Sequence, residues 1–158
     1  MMITLDERSI ETVKIYYEKS KQPIIKEMLP QKAQSIEEAI LDYKKTLLPF
    51  STSYGRIIKK NGKYIGDIWC YCINKEEVPN AMLSYCIFDT AYWNKGITTE
   101  AVQLFLKEVF ERYKINTIGA FTFSDNVASI KVLEKVGFLL LEKFVEDERE
   151  LKYYQYYF

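Results

Sequence analysis

The stretch YWNKGITTEA, Tyr92 to Ala101, decides how this chain is read. It stands between an apolar run ending at Phe88 and a segment in which Val102, Phe105, Leu106, Val109, Phe110 and Tyr113 fall at the i, i+3, i+4, i+7 spacing of an amphipathic helix. The stretch is therefore the turn at which a strand hands over to a helix. A helix start carries unpaired backbone N–H donors and the positive end of the helix dipole, a local anion site that needs no net charge. Gly96 lets the backbone approach a diphosphate, Thr98 and Thr99 set hydroxyls beside the amides, and Lys95 adds a positive charge at the mouth. The same residues also fit a plain turn with Lys95 merely solvated.

Upstream of this turn, residues 2–9 read as a strand, and Glu11 to Lys19 as a helix with Val13, Tyr16 and Tyr17 on one face. Pro23 and Pro30 punctuate a loop. Ser35-Ile36-Glu37-Glu38 is a capping box opening a helix that ends before Pro49. Tyr54 to Ile58 and Tyr64 to Ile73 are strands of a hairpin turned on Asn61-Gly62, and Ala81 to Phe88 is a further strand. Downstream, TIGAFTF (residues 117–123) is a strand. Ser124 or Asp125 caps a helix running to Val136, and Gly137 takes its left-handed end. Phe138 begins a terminal hairpin turned around Glu146 to Arg149. The order predicts one mixed α+β domain over residues 1–158, with its strands in one sheet and helices on both faces.

Composition excludes several function classes. Lys plus Arg and Asp plus Glu number 22 each, so no broad field favours nucleic acid or an anionic membrane. Histidine is absent, which removes Ser-His-Asp and Cys-His machinery, the usual general base and the commonest zinc ligand. Cys70, Cys72 and Cys86 form no disulfide framework and offer too few partners for a metal; they read as buried thiols in a reducing, cytoplasmic setting. No apolar run approaches the ~20 residues needed to span a bilayer, and neither signal peptide nor anchor is recognised. The terminal aromatics fill the sheet's faces or a homodimer contact rather than stacking on nucleobases.

A second motif follows the turn: in SDNVASIKVLEKVGF (residues 124–138), Asn126, Ser129, Glu134, Lys135, Gly137 and Phe138 recur at a known spacing. With YWNKGITTEA they make the chain resemble the GNAT-superfamily N-acetyltransferases, within the branch of the ribosomal-protein alanine and spermidine acetyltransferases. In that branch the first motif reads Tyr-Trp-Gly-Lys-Gly-x-Ala-Thr-Glu-Ala, and the second reads Asn-x-x-Ser followed by Glu-Lys-x-Gly-Phe. The resemblance is specific from about Tyr85 to Phe138. It implies a GNAT-like (acyl-CoA N-acyltransferase) fold, with a mixed, mostly antiparallel central sheet of six to seven strands and about four helices.

By the same resemblance the cosubstrate is acetyl-CoA, without a metal, and the acceptor is a primary amine, either a protein N-terminus or a small molecule such as a polyamine or an aminoglycoside. The strand end at Ile87 and Phe88 would hold the pantetheine arm and polarise the thioester carbonyl. The amides of Asn94, Lys95, Gly96, Ile97, Thr98 and Thr99 would take the pyrophosphate, and Asn126 and Ser129 would face the thioester. Three positions depart from the branch. Asn94 replaces Gly, Thr98 replaces Ala or Gly, and Leu133 stands where many members place a proton-donating Tyr, which leaves Ser129 or a water as the acid. Asp67 is the candidate general base: on alternation it shares a strand face with Ile65, Trp69 and Tyr71, whose apolar surroundings would raise its pKa, unless it is a hydrogen-bonded strand acid or an edge guard. Glu100 is accounted for by the helix dipole. The rival reading is a non-catalytic acyl-CoA-binding sensor or interaction module.

Overall fold

The computed structural model describes residues 2–30 and 32–158. Strand β1 (Ile3–Glu7) leads into α1 (Ile10–Lys19), whose start is closed reciprocally: Thr12 N–H donates to Ser9 Oγ and Ser9 N–H donates to Thr12 Oγ1. A helix α2 (Pro23–Met28) follows where the sequence reading expects only a loop. Pro23 lies in its first turn, where the missing N–H is not needed and the fixed φ suits the helix. In α3 (Ile36–Thr46), Ser35 Oγ accepts from Glu38 N–H at 3.1 Å as expected, but the Glu38 carboxylate reaches one residue further back, to Gln34 N–H.

The β2 (Tyr54–Lys60) and β3 (Lys63–Asn74) hairpin turns on Asn61 and Gly62, both at positive φ. Then come β4 (Asn80–Ile87), a short 3-10 helix (Thr90–Tyr92), α4 (Ile97–Tyr113), β5 (Thr117–Phe123) and α5 (Val127–Val136). The hairpin of β6 (Leu139–Glu146) and β7 (Arg149–Tyr157) turns on Asp147 and Glu148. The strands form one sheet in the order β1-β2-β3-β4-β5-β7-β6, antiparallel except for β4 beside β5.

One face of the sheet is covered by α4 and α5. Val102, Phe105, Leu106 and Val109 of α4 and Leu133 of α5 pack on Ile68, Leu83, Ile118 and Tyr154. The other face carries α1 and α2, where Ile25, Cys86 and Phe88 form a smaller cluster flanked by Tyr16 and Tyr64. The terminal aromatics behave as side chains of the sheet: Tyr154 is buried, Tyr156 packs on Phe138, and Tyr153 packs on Phe121.

Two irregularities in β3 change which side chains share a face. The register shifts between Ile58 and Lys59, so Ile65 is an extra residue opposite β2. Gly66 is required beside it, because a Cβ there would collide with the carbonyl oxygen of Cys86. Simple alternation therefore fails across the bulge. Ile65 joins the α4 side, while Tyr64 and Asp67 meet on the α1 side, correcting the expected face-sharing of Asp67 with Ile65. A second shift lies between Tyr71 and Asn74, where Cys72 takes φ 51 and becomes exposed, whereas Cys70 and Cys86 stay buried.

Burial pushes the Cys70 and Cys86 thiols up to about 12. A thiol reacts as its thiolate, so the native protein alkylated at about pH 8 should gain one adduct, on Cys72, with the other two appearing only after unfolding. Intact-mass and peptide analysis checks this, and native labelling of Cys86 as fast as Cys72 would contradict it.

Candidate active site

The site begins where the parallel strands part. Pairing between β4 and β5 is confined to Asn80–Met82 against Thr117–Gly119, although β4 runs on to Ile87 and β5 to Phe123. Along β4 the hydrogen bonds to β3 continue to the end, and Phe88 N–H donates to Ile65 C=O at 3.0 Å. In an antiparallel ladder alternate residues direct their backbone groups to opposite sides. With Phe88 and Cys86 turned toward β3, the main-chain groups of Tyr85 and Ile87 face the gap. The expected role of Phe88 is therefore corrected: its N–H is already engaged, its side chain lies in the α1–α2 cluster, and Ile87 remains as the donor facing the cleft.

Beyond β4 the chain is fastened before it turns. Trp93 Nε1–H donates to Ile87 C=O at 2.7 Å, and Gln22 Nε2 donates to Phe88 C=O at 3.1 Å. The turn itself uses two left-handed residues, Asn94 at φ 60 and Gly96 at φ 76. Among residues with a Cβ, Asn tolerates that region best, so Asn94 preserves the backbone conformation for which the branch ordinarily uses Gly. No side chain caps α4 at Gly96, and the first intrahelical bond is Glu100 N–H to Gly96 C=O. The N–H groups of Ile97, Thr98 and Thr99 thus have no partner within the helix and point out of its end.

Both features open into one cleft of about 810 Å³. Its walls include Ile87, Asn94, Lys95, Gly96, Ile97, Thr98, Thr99, Asn126 and Ser129, which brings together all the expected cofactor residues except Phe88. Asn126, not Ser124 or Asp125, caps α5, its Oδ1 accepting from Ser129 N–H at 3.2 Å. That leaves the Asn126 amide NH₂ as its donor. Ser124 is bonded instead to Glu150, and Asp125 pairs with Arg149 at 3.2 Å.

Ser129 Oγ lies 2.9 Å from the hydroxyl of Tyr85, which reaches it from β4. Burial pushes the Tyr85 hydroxyl up to about 12, while the Ser129 hydrogen bond acts in the opposite direction. Leu133 is fully buried in the floor. A tyrosine hydroxyl thus stands beside Ser129, carried by a strand and not by α5. Sequence reasoning gave Tyr85 no role, passed over Lys131, and named Lys135 only as part of the second motif; both lysines line the cleft from α5. Their i, i+4 spacing downstream of Asn126 was a usable signal.

Asp67 does not line the cleft. It is 3% exposed and sits on β3 opposite Cys86, whose thiol does reach the cleft wall. Tyr64 O–H donates to Asp67 Oδ1, and Arg8 Nε lies 3.0 Å from Asp67 Oδ2. Burial pushes the Asp67 carboxyl above the usual carboxylate range, with Arg8 and the Tyr64 hydrogen bond pulling it back. The raised direction matches the expectation, but the position does not: an ion-paired carboxylate one strand behind the wall cannot touch an amine in the cleft. Among the described residues no His, Cys, Asp or Glu cluster could hold a metal ion, and no helix is long and apolar enough to cross a membrane.

The helix start at Ile97 is the arrangement the first sequence motif anticipates, and the parting of β4 from β5 adds a second open edge beside it. Residues 8–139 match the family model described as Acetyltransferase (GNAT) domain, and the chain belongs to the GNAT acetyltransferase family. A curated relative, the probable N-acetyltransferase YjcK of Bacillus subtilis (strain 168), is 33% identical over 85 residues, 54% of this chain and 46% of the relative. The match thus spans about half the length of that relative. Among solved structures, spermidine N-acetyltransferase from Vibrio cholerae in complex with CoA and spermine superposes with a TM-score of 0.87 at 15% identity, over 98% of this chain and 95% of that one. The ribosomal L7/L12 alpha-N-protein acetyltransferase RimL in complex with coenzyme A gives 0.83 at 18%, over 99% and 94%. The aminoglycoside acetyltransferase AAC(6')-Ib in complex with coenzyme A gives 0.82 at 18%, over 99% and 95%. At these identities the likeness is one of fold.

Proposed function

We propose that this chain transfers the acetyl group of acetyl-CoA to a primary amine by direct attack within a ternary complex. The observation that carries the reading is the continuity of one cleft from the unpaired edge of β4 to the uncapped start of α4, with the Tyr85–Ser129 hydroxyl pair between them. The donor set fits the cosubstrate. A chain of amides suits a strand edge with free main-chain groups, and a pyrophosphate suits the N–H groups of Ile97, Thr98 and Thr99 beside Lys95. When bound, acetyl-CoA supplies the activated thioester. A reducing, cytoplasmic setting belongs to the same reading, since none of the three cysteines forms a disulfide.

Ile87 N–H, facing the gap, donates to the carbonyl oxygen as negative charge develops there. Ser129, at the start of α5 and hydrogen-bonded to Tyr85, gives a proton to the departing sulfur and is reprotonated through the tyrosine. The amine must arrive neutral, and its remaining proton is lost to solvent through the open side of the cleft. Asp67 acts as a positioning residue: it holds Tyr64 and Arg8 against the strand that carries Gly66 and faces Cys86.

CoA should raise the Tm of the protein, because a ligand that binds the native state stabilises it, and thiol release should depend on an added amine. Ser129→Ala should lower kcat by roughly 100-fold with CoA affinity little changed. The Tyr85 hydroxyl must stay protonated to act. Because its pKa is raised to about 12, the fall of the wild-type rate at high pH, beyond the rise set by deprotonation of the amine, should lie above the ordinary tyrosine value of about 10. Rates corrected for spontaneous thioester hydrolysis test this. Tight CoA binding with no turnover on any amine would favour the sensor reading.

A further inference from the structure

The face of the cleft away from α5 carries information about the acceptor. Alternation along β4 and β5 turns Ser84, Cys86, Phe121 and Phe123 to the α2 side, where Met28 and Leu29 line the same cleft. The charged side chains lining the whole cleft, among the described residues, are Lys95, Asp125, Lys131 and Lys135. The single acid is already neutralised, with Arg149 Nη2 at 3.2 Å from Asp125 Oδ1.

Two of the aromatic rings on this side are also covered by the protein's own cations. The Arg149 guanidinium lies 3.5 Å from the centroid of Phe123, and Lys32 Nζ lies 5.6 Å from that of Tyr71. Arg149 is held there by Glu27 C=O at 2.8 Å. A substrate bearing several ammonium groups needs carboxylates or open aromatic faces to replace lost hydration. This wall presents no unpaired carboxylate among the described residues, and its one half-exposed ring, Phe121, cannot replace the hydration of several ammonium groups.

We propose that the acceptor is a primary amine on an apolar or aromatic body without a second positive charge. This rests on the acetyl-transfer reading and narrows its substrate class, excluding polyamines and aminoglycosides as preferred acceptors. The amine nitrogen forms the bond to the acetyl carbon as the carbon–sulfur bond breaks. The non-reacting body lies against the half-exposed Phe121 with Met28 and Leu29, where burial of apolar surface favours it. A free arylalkylamine and the N-terminus of a peptide beginning with an apolar residue share this chemistry.

The test compares phenethylamine, a peptide amide beginning with Phe, spermidine and kanamycin. It reads kcat/KM from thiol release and, separately, amine binding to the CoA-loaded full-length protein by saturation-transfer NMR. The expected result is a preference of about tenfold or more for one of the first two over both polycations, with that amine's binding insensitive to salt. Relative rates of phenethylamine and the peptide tell the two sources apart. Met28→Glu, which adds a carboxylate to the wall, should narrow the preference by raising spermidine turnover. Preferential turnover or binding of spermidine or kanamycin overturns the proposal, as does absence of binding by either apolar amine. Selective binding of an apolar amine without turnover upholds the acceptor chemistry and instead refutes the transfer reaction.

Discussion

Gly96→Asp should weaken CoA binding by about 100-fold, roughly 2.8 kcal/mol, while leaving the chain folded. Gly96 is the residue before the first turn of α4, and no side chain of the protein competes for the N–H groups there. An aspartate at that position sets a carboxylate beside the N–H groups of Thr98 and Thr99 and repels a phosphate from the same spot. The deficit corresponds to one or two charge-assisted hydrogen bonds at about 1.5–3 kcal/mol each. Gly96→Ala separates this from backbone strain. At φ 76 any side chain is disfavoured, by about 1–2 kcal/mol, yet a Cβ there meets no protein atom within 4 Å. Alanine should lower Tm modestly and bind CoA within a few-fold of wild type. Calorimetric titration of the three proteins reads the difference, and equal affinity for wild type and Gly96→Asp would remove the helix start from the binding site.

The second large effect concerns stability. Arg8 and Asp67 form an ion pair with side chains only 18% and 4% exposed, and the guanidinium also covers the Trp69 ring at 5.4 Å from its centroid. Taking one partner from a buried pair leaves the other uncompensated, a loss of roughly 3–5 kcal/mol. For a domain of this size each kcal/mol shifts Tm by about 2–4 °C, so Arg8→Leu should melt on the order of 10 °C lower. The deficit should depend on pH. Asp67 has a carboxyl whose folded pKa lies above the unfolded value, so the native state takes up the proton first and stability falls as pH rises through the interval above 3.8. Without Arg8 that interval widens upward, and the penalty relative to wild type should shrink as the pH is lowered into it. The double variant Arg8→Leu/Asp67→Leu should recover much of the loss. A pH-independent deficit, or a double variant as unstable as the sum of the singles, would mean that Arg8 acts by packing alone.

How much of this was legible depends on the distance over which each signal operates. The turn from Asn94 to Thr99 was readable because a left-handed residue, a helix start and their unpaired amides are local properties, and the hairpin at Asn61-Gly62 for the same reason. The helix α2 was not: six residues bounded by prolines are too short to show a period, and tertiary packing of Ile25 against Cys86 and Phe88 holds it in place. Tyr85 meets Ser129 across 44 positions of sequence, with nothing in either neighbourhood to announce it. Ile65 was placed on the face of Asp67 and Trp69 because period-two counting assumes an uninterrupted strand, and the bulge at Ile65 resets it. Phe88 was misassigned because only pairing with β3 reveals which residues of β4 have spent their amides.

The seam between β4 and β5 is three residue pairs long, and within the sheet it alone joins the half built from β1 to β4 to the half built from β5 to β7. On the acetyl-transfer reading, a carrier arm laid along β4 would do more than present a reactive carbon: it would serve as a borrowed strand, filling in the ladder where the polypeptide leaves it incomplete. Occupancy would then add a hydrogen-bonded joint between two sub-sheets that the empty protein ties together chiefly through the shared core under α4 and α5.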